Sequence, residues 1–324
     1  MATSKRPELA KSEVIAELPA ACADECVAVV FLERKRWGDC PCCPHCGSVA
    51  VYKMTARDGT RNKRFMWRCR DCDKQYTVRA NSVLAESLIP LHKWCRAMWM
   101  TSTAKNGVSA LELSRTLQVN YRTALFVLHR LRHAMHDDHT PEPKLTGIVE
   151  ADETYVGGKP RYRGTANNAI NKRGRGTKKQ PVAAVLERGG KVRTRVIPQV
   201  NSHNLRAMLL DHVDPSARLM TDGEQGYKGS DAVFASHEVV DHGKREYARG
   251  DVTTNSIEGF FARVKRGING VHHAVSKEHL HRYMDHFAYL HNTRKMNDGE
   301  RTLDLMRRTE GRRLMYRDPV KKSA

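Results

Sequence analysis

Gly147-Ile-Val-Glu-Ala-Asp152-Glu-Thr-Tyr-Val-Gly157-Gly-Lys159 reads as one β-strand, apolar at its start, closed by a glycine pair and carrying an acid in its middle. An ionised carboxylate in a buried strand is costly unless it is paired or holds a metal. Asp152 therefore belongs either to an ion pair or to a site. Two later acids occupy comparable positions. Asp222 ends the run Ala217-Arg-Leu-Met-Thr-Asp222 just before Gly223, and Glu258 follows Thr253-Thr-Asn-Ser-Ile257 at the start of a helix.

Each acid has an ordinary structural explanation: a strand acid at a sheet rim for Asp152, a turn for Asp222, and for Glu258 an N-cap at Asn255 with an acid three residues on. The three are stronger together. The segment from 146 reads as strand (148–156), a long loop, strand (181–187), a glycine turn, strand (191–200), helix (202–212), strand (218–221), an irregular piece, a short strand (238–240) and two helices. Three strands followed by alternating helix and strand is the order of a ribonuclease-H-like α/β fold, a mixed sheet covered by helices. In that order the first strand, the end of the fourth and the helix after the fifth meet at one edge. On that last helix Ile257, Phe260, Phe261, Val264 and Ile268 form the core face, while Glu258 and Lys265 share the other, so a metal ligand and a phosphate contact lie along one line. Carboxylates of this kind suit Mg2+ or Mn2+. Two such cations about 4 Å apart can clamp the attacking and leaving oxygens of an in-line displacement at phosphorus.

The chain has 324 residues, enough for two or three domains with a core of their own. Lys and Arg number 56 against 36 acids, a formal net charge of +20 spread through most segments, which favours a polyanionic partner such as nucleic acid. The N-terminus lacks an apolar signal core, and the apolar run 20–32 is broken by Asp24 and Glu25, so a cytoplasmic protein with no membrane partner is expected. In a reducing compartment the nine cysteines point to metal or free thiols rather than disulfides.

Residues 1–37 read as a lead and a helix over about 21–37. Next, Cys43-Pro-His-Cys46 and Cys69-Arg-Asp-Cys72 form two C-x2-C knuckles flanking short strands near 50–52 and 64–67. That is the spacing of a structural four-cysteine Zn2+ site. Cys40 and Cys42 crowd the first knuckle, which leaves the ligand register open among Cys40, Cys42, Cys43 and Cys46. A helix follows over 91–104, with Leu91, Trp94, Cys95, Met98 and Ser102 on one face. Ser109 to Glu112 looks like a capping box opening a short helix to 117. After a turn at 118–120 comes a helix over 121–135, its apolar face made of Ala124, Leu125, Leu128, Leu131 and Met135. Short helix, turn, longer helix is the helix-turn-helix pattern; Arg122, Thr123, Arg130, Arg132 and His133 are expected on its exposed face, where they suit phosphates or base edges. Residues 137–144 read as a linker. The insertion 159–180 carries Lys159, Arg161, Arg163, Lys172, Arg173, Arg175, Lys178 and Lys179 with almost no large apolar residue, and so reads as a phosphate-contacting arm.

The expected organisation is a multidomain α+β chain: a helical lead (1–37), a zinc ribbon (38–86), a helix-turn-helix domain (87–137), a ribonuclease-H-like catalytic domain (146–296, with 159–180 as a basic loop) and a basic tail (297–324). The ribbon, the helix-turn-helix and the stretches around Asp152, Thr221-Asp-Gly-Glu-Gln-Gly-Tyr227 and Asn255-Ser-Ile-Glu-Gly-Phe-Phe-Ala-Arg-Val-Lys-Arg-Gly267 resemble the zinc-ribbon-bearing DDE transposases of bacterial insertion sequences, the branch similar to Merlin transposons. The resemblance spans about 12–295. Asp73 stands where such knuckles usually carry glycine. The resemblance implies a catalytic triad of Asp152, Asp222 and Glu258 on Mg2+ or Mn2+, binding to double-stranded DNA at the terminal inverted repeats of the transposon ends and at the target as a homo-oligomer, and cleavage with strand transfer. Arg122, Arg130, Arg173, Arg175, Lys178, Lys179 and Lys265 are the expected DNA contacts. Two other readings are a domesticated DNA-binding regulator, against which the intact acids argue, and a structure-selective nuclease on the same fold.

Overall fold

A computed structural model of the chain describes residues 13–137, 143–157, 179–240, 246 and 248–314. It divides into two units: residues up to 104 with 110–135 and the segment from 295, and residues 105–109 with 136–294.

In the first unit the expected helix over 21–37 is two helices, α1 (Glu13–Ala23) and α2 (Glu25–Trp37). Asp24 separates them: its backbone is extended and its carboxylate accepts the Val27 amide at 2.9 Å, so a short acidic side chain starts a new helix rather than continuing the old one. Three short antiparallel strands follow in the order β1 (Val51–Lys53), β2 (Trp67–Cys69), β3 (Gln75–Tyr76). Their small core is aromatic, with Trp37 edge-on to Trp67 and Tyr76 at 5.7 and 5.9 Å. Trp67 Nε1 donates to the buried Glu33 of α2 at 2.7 Å, and Arg61 pairs with the same carboxylate. Asp73 has φ +56°, the left-handed conformation for which glycine is the usual solution and which Asp tolerates better than most residues.

α3 (Leu91–Thr103), α4 (Ala110–Leu117) and α5 (Tyr121–Ala134) follow. Asn120 caps α5 by accepting the Thr123 amide at 2.8 Å. The buried stripe of α5 is Ala124, Val127, Leu128, Leu131 and Ala134, centred on Val127 where Leu125 was expected. The segment read as a tail from 297 is a helix instead, α9 (Asp298–Arg308), opened by a reciprocal capping box of Asn297 and Glu300. Its Thr302 hydroxyl meets Ser102 of α3 at 2.9 Å, and Leu305 and Met306 are fully buried. Apolar residues at helical spacing among the charges explain the difference, since they need a core to pack into.

The second unit is built on a five-stranded sheet of order β6-β5-β4-β7-β8: β4 (Ile148–Val156), β5 (Gln180–Glu187), β6 (Val192–Val196), β7 (Arg218–Asp222) and β8 (Ser236–Val240). β4, β5 and β6 are antiparallel neighbours, whereas β7 runs parallel to β4 and β8 parallel to β7. That is the mixed, ribonuclease-H-like arrangement expected from the strand order. Alternation along the strands separates two faces. Val149, Ala151, Ala183 and Val185 pack under α6 (Ser202–His212), and Val156, Val182, Ala184 and Leu186 pack under α7 (Asn255–Gly267) and α8 (Leu280–Asn292). The even positions of β4, Glu150 and Asp152 among them, therefore belong to the α7 face.

Candidate active site

The parallel pairing of β4 with β7 sets the site. Glu150 stands opposite Met220 and Ala151 opposite Thr221, so one more step along the same register brings Asp152 beside Asp222 where the paired stretch ends. α7 lies over that face, its core residues Ile257, Phe260, Phe261 and Val264 buried against the sheet. Its polar side presents Glu258 and Lys265. An open pocket of about 340 Å³ results, lined by Asp152, Glu153, Asp222, Glu258, Phe261 and Lys265, with Thr154, Thr254 and Ala262 completing it.

Within it, one carboxylate oxygen each of Asp152, Glu153 and Asp222 lies within 4.8 Å of the others. Glu258 lines the same pocket, and its Oε1 accepts the Thr254 hydroxyl at 2.8 Å. Backbone amides orient the two aspartates: Glu153 N donates to Asp152 Oδ1 at 2.7 Å and Glu224 N to Asp222 Oδ1 at 3.1 Å. Burial first, then the charges of Asp222 and Glu258, push the Asp152 carboxyl up to about 7 against the opposing pull of the Glu153 amide and Lys265. Acids crowded this closely fit a divalent cation, which offsets their mutual repulsion, and an all-oxygen donor set favours a hard ion such as Mg2+ or Mn2+.

Glu153 was not among the expected site residues, because alternation sends it to the other face of β4. There its Oε2 accepts the hydroxyl of the buried Tyr227 at 3.1 Å. Burial and the Glu153 charge hold that phenol well above its usual range, so it stays a donor. The sequence signal was the adjacency of two acids at the point where β4 outruns β7.

At the ribbon, Cys43 and Cys72 bring their sulfurs to 3.7 Å, Cys46 and Cys69 to 3.6 Å, and all four lie within 4.8 Å. A tetrahedral Zn2+ with Zn–S bonds of about 2.3 Å has S···S edges of about 3.8 Å, so the donor set fits zinc. Cys40 and Cys42 are exposed and outside this group.

Of the expected DNA contacts, Arg122 and Lys179 are exposed, and Lys265 is exposed at the pocket. Arg173, Arg175 and Lys178 lie outside the described residues. Arg130 is a correction. It is only 8% exposed, donates to the carbonyls of Val83 and Ala85 at 2.7 and 2.8 Å, and sits 4.3 Å over the Phe126 ring. Arg132 is fully buried and His133 half-buried. The C-terminal half of α5 is enclosed on its charged side too, which leaves its N-terminal end as the exposed part.

Residues 144–292 match the ISXO2-like transposase domain, and residues 23–75 match the transposase zinc-ribbon domain. An uncharacterised protein in transposable element ISH50 of Halobacterium salinarum is 30% identical over 270 residues, covering 80% of this chain and 88% of its own length. Among solved structures, the Mos1 strand transfer complex is 12% identical over 62% of this chain and 70% of its own, with a TM-score of 0.28. A pre-cleavage Mos1 transpososome is 13% identical over 62% and 71%, with a TM-score of 0.27. The chain belongs to the insertion-sequence transposases with an ISXO2-like domain, a DDE transposase family in which a zinc ribbon precedes the catalytic domain.

Proposed function

We propose that this transposase binds the terminal inverted repeats of its element and catalyses divalent-metal-dependent cleavage and strand transfer with Asp152, Asp222 and Glu258. The observation that carries the reading is the convergence of these acids, from two parallel strands and one helix, on a pocket shared with Lys265. When bound, Mg2+ or Mn2+ would activate the attacking oxygen and neutralise charge developing at phosphorus. Asp152 and Asp222 present oxygens from adjacent strands as the primary ligands, and Glu258 approaches from the helix above. Lys265, two turns further along α7, is placed to hold a phosphate of the DNA backbone. Water or a DNA 3′-hydroxyl is the nucleophile, so no nucleophilic side chain is needed.

The remaining parts supply recognition. The ribbon (38–86), held together by Zn2+ on Cys43, Cys46, Cys69 and Cys72, and the helical segment (87–137) act as DNA readers, with Arg122 at the exposed start of α5. The basic loop 159–180 adds charge-driven affinity, and the catalytic domain (146–296) acts within a homo-oligomer assembled on DNA in the cytoplasm. Among the described residues no helix is long and apolar enough to cross a membrane.

The test is a cleavage and strand-transfer assay on duplexes taken from the DNA on either side of the gene. Asp152→Asn and Asp222→Asn should abolish both products in Mg2+ and still shift the duplex in a gel. Product formed by either variant at the parental rate would overturn the reading.

A further inference from the structure

Glu150 stands two residues before Asp152 on the same face of β4 and is fully buried. Every oxygen of its carboxylate is engaged. Oε2 accepts the Ile257 amide in the first turn of α7 at 3.0 Å; Oε1 accepts Arg188 Nε at 3.0 Å and lies 2.9 Å from its Nη2. Arg188, just beyond β5, turns the rest of its guanidinium elsewhere. Nη1 donates to the Asp251 carbonyl at 3.0 Å, and Nη2 to the Thr253 carbonyl at 3.1 Å and the Met220 sulfur at 3.3 Å.

These partners flank the three acids of the site. Glu150 is two residues before Asp152, Met220 is two before Asp222, and Ile257 is one before Glu258. Thr254, the residue that precedes α7, gives its first turn no side-chain cap. A free amide at a helix start needs an acceptor, and negative charge there is favourable. Here the acceptor comes from the strand that carries the first acid, 107 positions away. Stability alone is a poor reason for such a pair, because well-packed apolar residues of similar volume are often neutral or better. Fixing one geometry is a better reason.

We infer that Glu150 and Arg188 are positioning residues of the active site: the pair locks the 251–253 segment and the start of α7 onto β4 and β7, and so sets where Glu258 stands relative to Asp152 and Asp222. The inference rests on the metal-site reading given above.

Arg188→Lys tests it, since lysine keeps the charge but lacks the planar fork that reaches Glu150, two carbonyls and a sulfur together. The readout is Mn2+ affinity of the folded, zinc-loaded full chain by calorimetry, beside Asp152→Asn and Leu209→Ala. Leu209 is a buried residue of α6, packed on the opposite face of the sheet, so its truncation destabilises the same unit without touching the pair. Arg188→Lys should weaken Mn2+ about tenfold or more, the range typical of groups that orient metal ligands. Leu209→Ala should bind as the parent does, and Asp152→Asn should lose the ion. If Arg188→Lys cannot be isolated folded, Glu150→Gln/Arg188→Gln leaves no charge buried alone and should show the same weakening. Parental Mn2+ affinity in the Arg188→Lys or the paired-glutamine protein, with binding lost in Asp152→Asn, would overturn the positioning role and leave the metal site standing. Parental affinity in Asp152→Asn would overturn the metal site, and the positioning role with it.

Discussion

Replacing Arg130 by methionine should unfold the first unit more readily and leave DNA affinity alone. Methionine keeps most of the aliphatic stem, so the change removes mainly the guanidinium. Lost with it are the hydrogen bonds to the Val83 and Ala85 carbonyls at 2.7 and 2.8 Å and the stacking over Phe126 at 4.3 Å. A hydrogen bond from a charged group contributes about 1.5–3 kcal/mol and a cation–π contact about 0.5–1 kcal/mol. Against this stands the cost of keeping the charge buried, visible in the downward push that burial gives the Arg130 pKa. The net loss should be about 2–4 kcal/mol. All four tryptophans of the chain, Trp37, Trp67, Trp94 and Trp99, lie in this unit, so urea unfolding followed by tryptophan fluorescence reports on it directly. The midpoint should fall with little change in slope, and a gel shift with the folded variant should match the parent. Stability within about 0.5 kcal/mol of the parent, combined with much weaker DNA binding, would return Arg130 to the DNA surface.

Parent protein should carry one zinc per chain, and Cys69→Ser should lose it, because a closed four-thiolate shell does not survive removal of one ligand; undiminished zinc by elemental analysis would refute the ligand set. Arg122→Ala should weaken binding to terminal repeats more than to random DNA, whereas replacing Arg173, Arg175, Lys178 and Lys179 by alanine should lower the salt slope by about 3–4, near 0.9 per phosphate contact; an unchanged slope would make the loop passive. Burial, then the charges of Arg195 and Arg193, lower the His212 pKa from its ordinary value to about 4. Because the folded value is the depressed one, its contribution to stability is full above about 6.5 and is lost as pH falls towards 4. His212→Gln should therefore flatten the loss of urea midpoint over that window, and an unchanged profile would show that the imidazole is not held neutral.

The acids were legible because a carboxylate inside an apolar strand or beside a glycine turn is conspicuous, and the strand order alone predicted their meeting. The same reasoning applied to Glu150, an acid in the apolar start of the same strand, yet its partner Arg188 lies beyond the next strand and its amide acceptor role 107 positions away; no local pattern announces either. For the same reason Asn255 looked like the cap of α7, whereas the helix starts on it and takes its first-turn acceptor from Glu150. Arg130 and Arg132 occupy the polar stripe of an amphipathic helix. Periodicity marks which side is apolar, but it cannot say that distant segments, the carbonyls at 83 and 85 among them, cover the other side as well. Asn297 with Glu300 was readable as a capping box ahead of α9, and the density of arginines around it masked the apolar stripe.

Glu258 is the most informative of the three acids, because it stands outside the close group of oxygens and bonds Thr254, so a helix-end role is its natural rival. Glutamine accepts that hydroxyl equally well and suits the first turn, but it lacks the charge that a metal requires. The direct measurement is the single-turnover rate of cleavage at a terminal repeat in Mg2+ by Glu258→Gln, with binding to the same duplex measured alongside. A fall of about a hundredfold or more, of the size that follows loss of a group stabilising charge in the transition state, with undiminished binding, is the expected result. Cleavage at the parental rate would remove Glu258 from the catalytic site and contradict the three-acid centre.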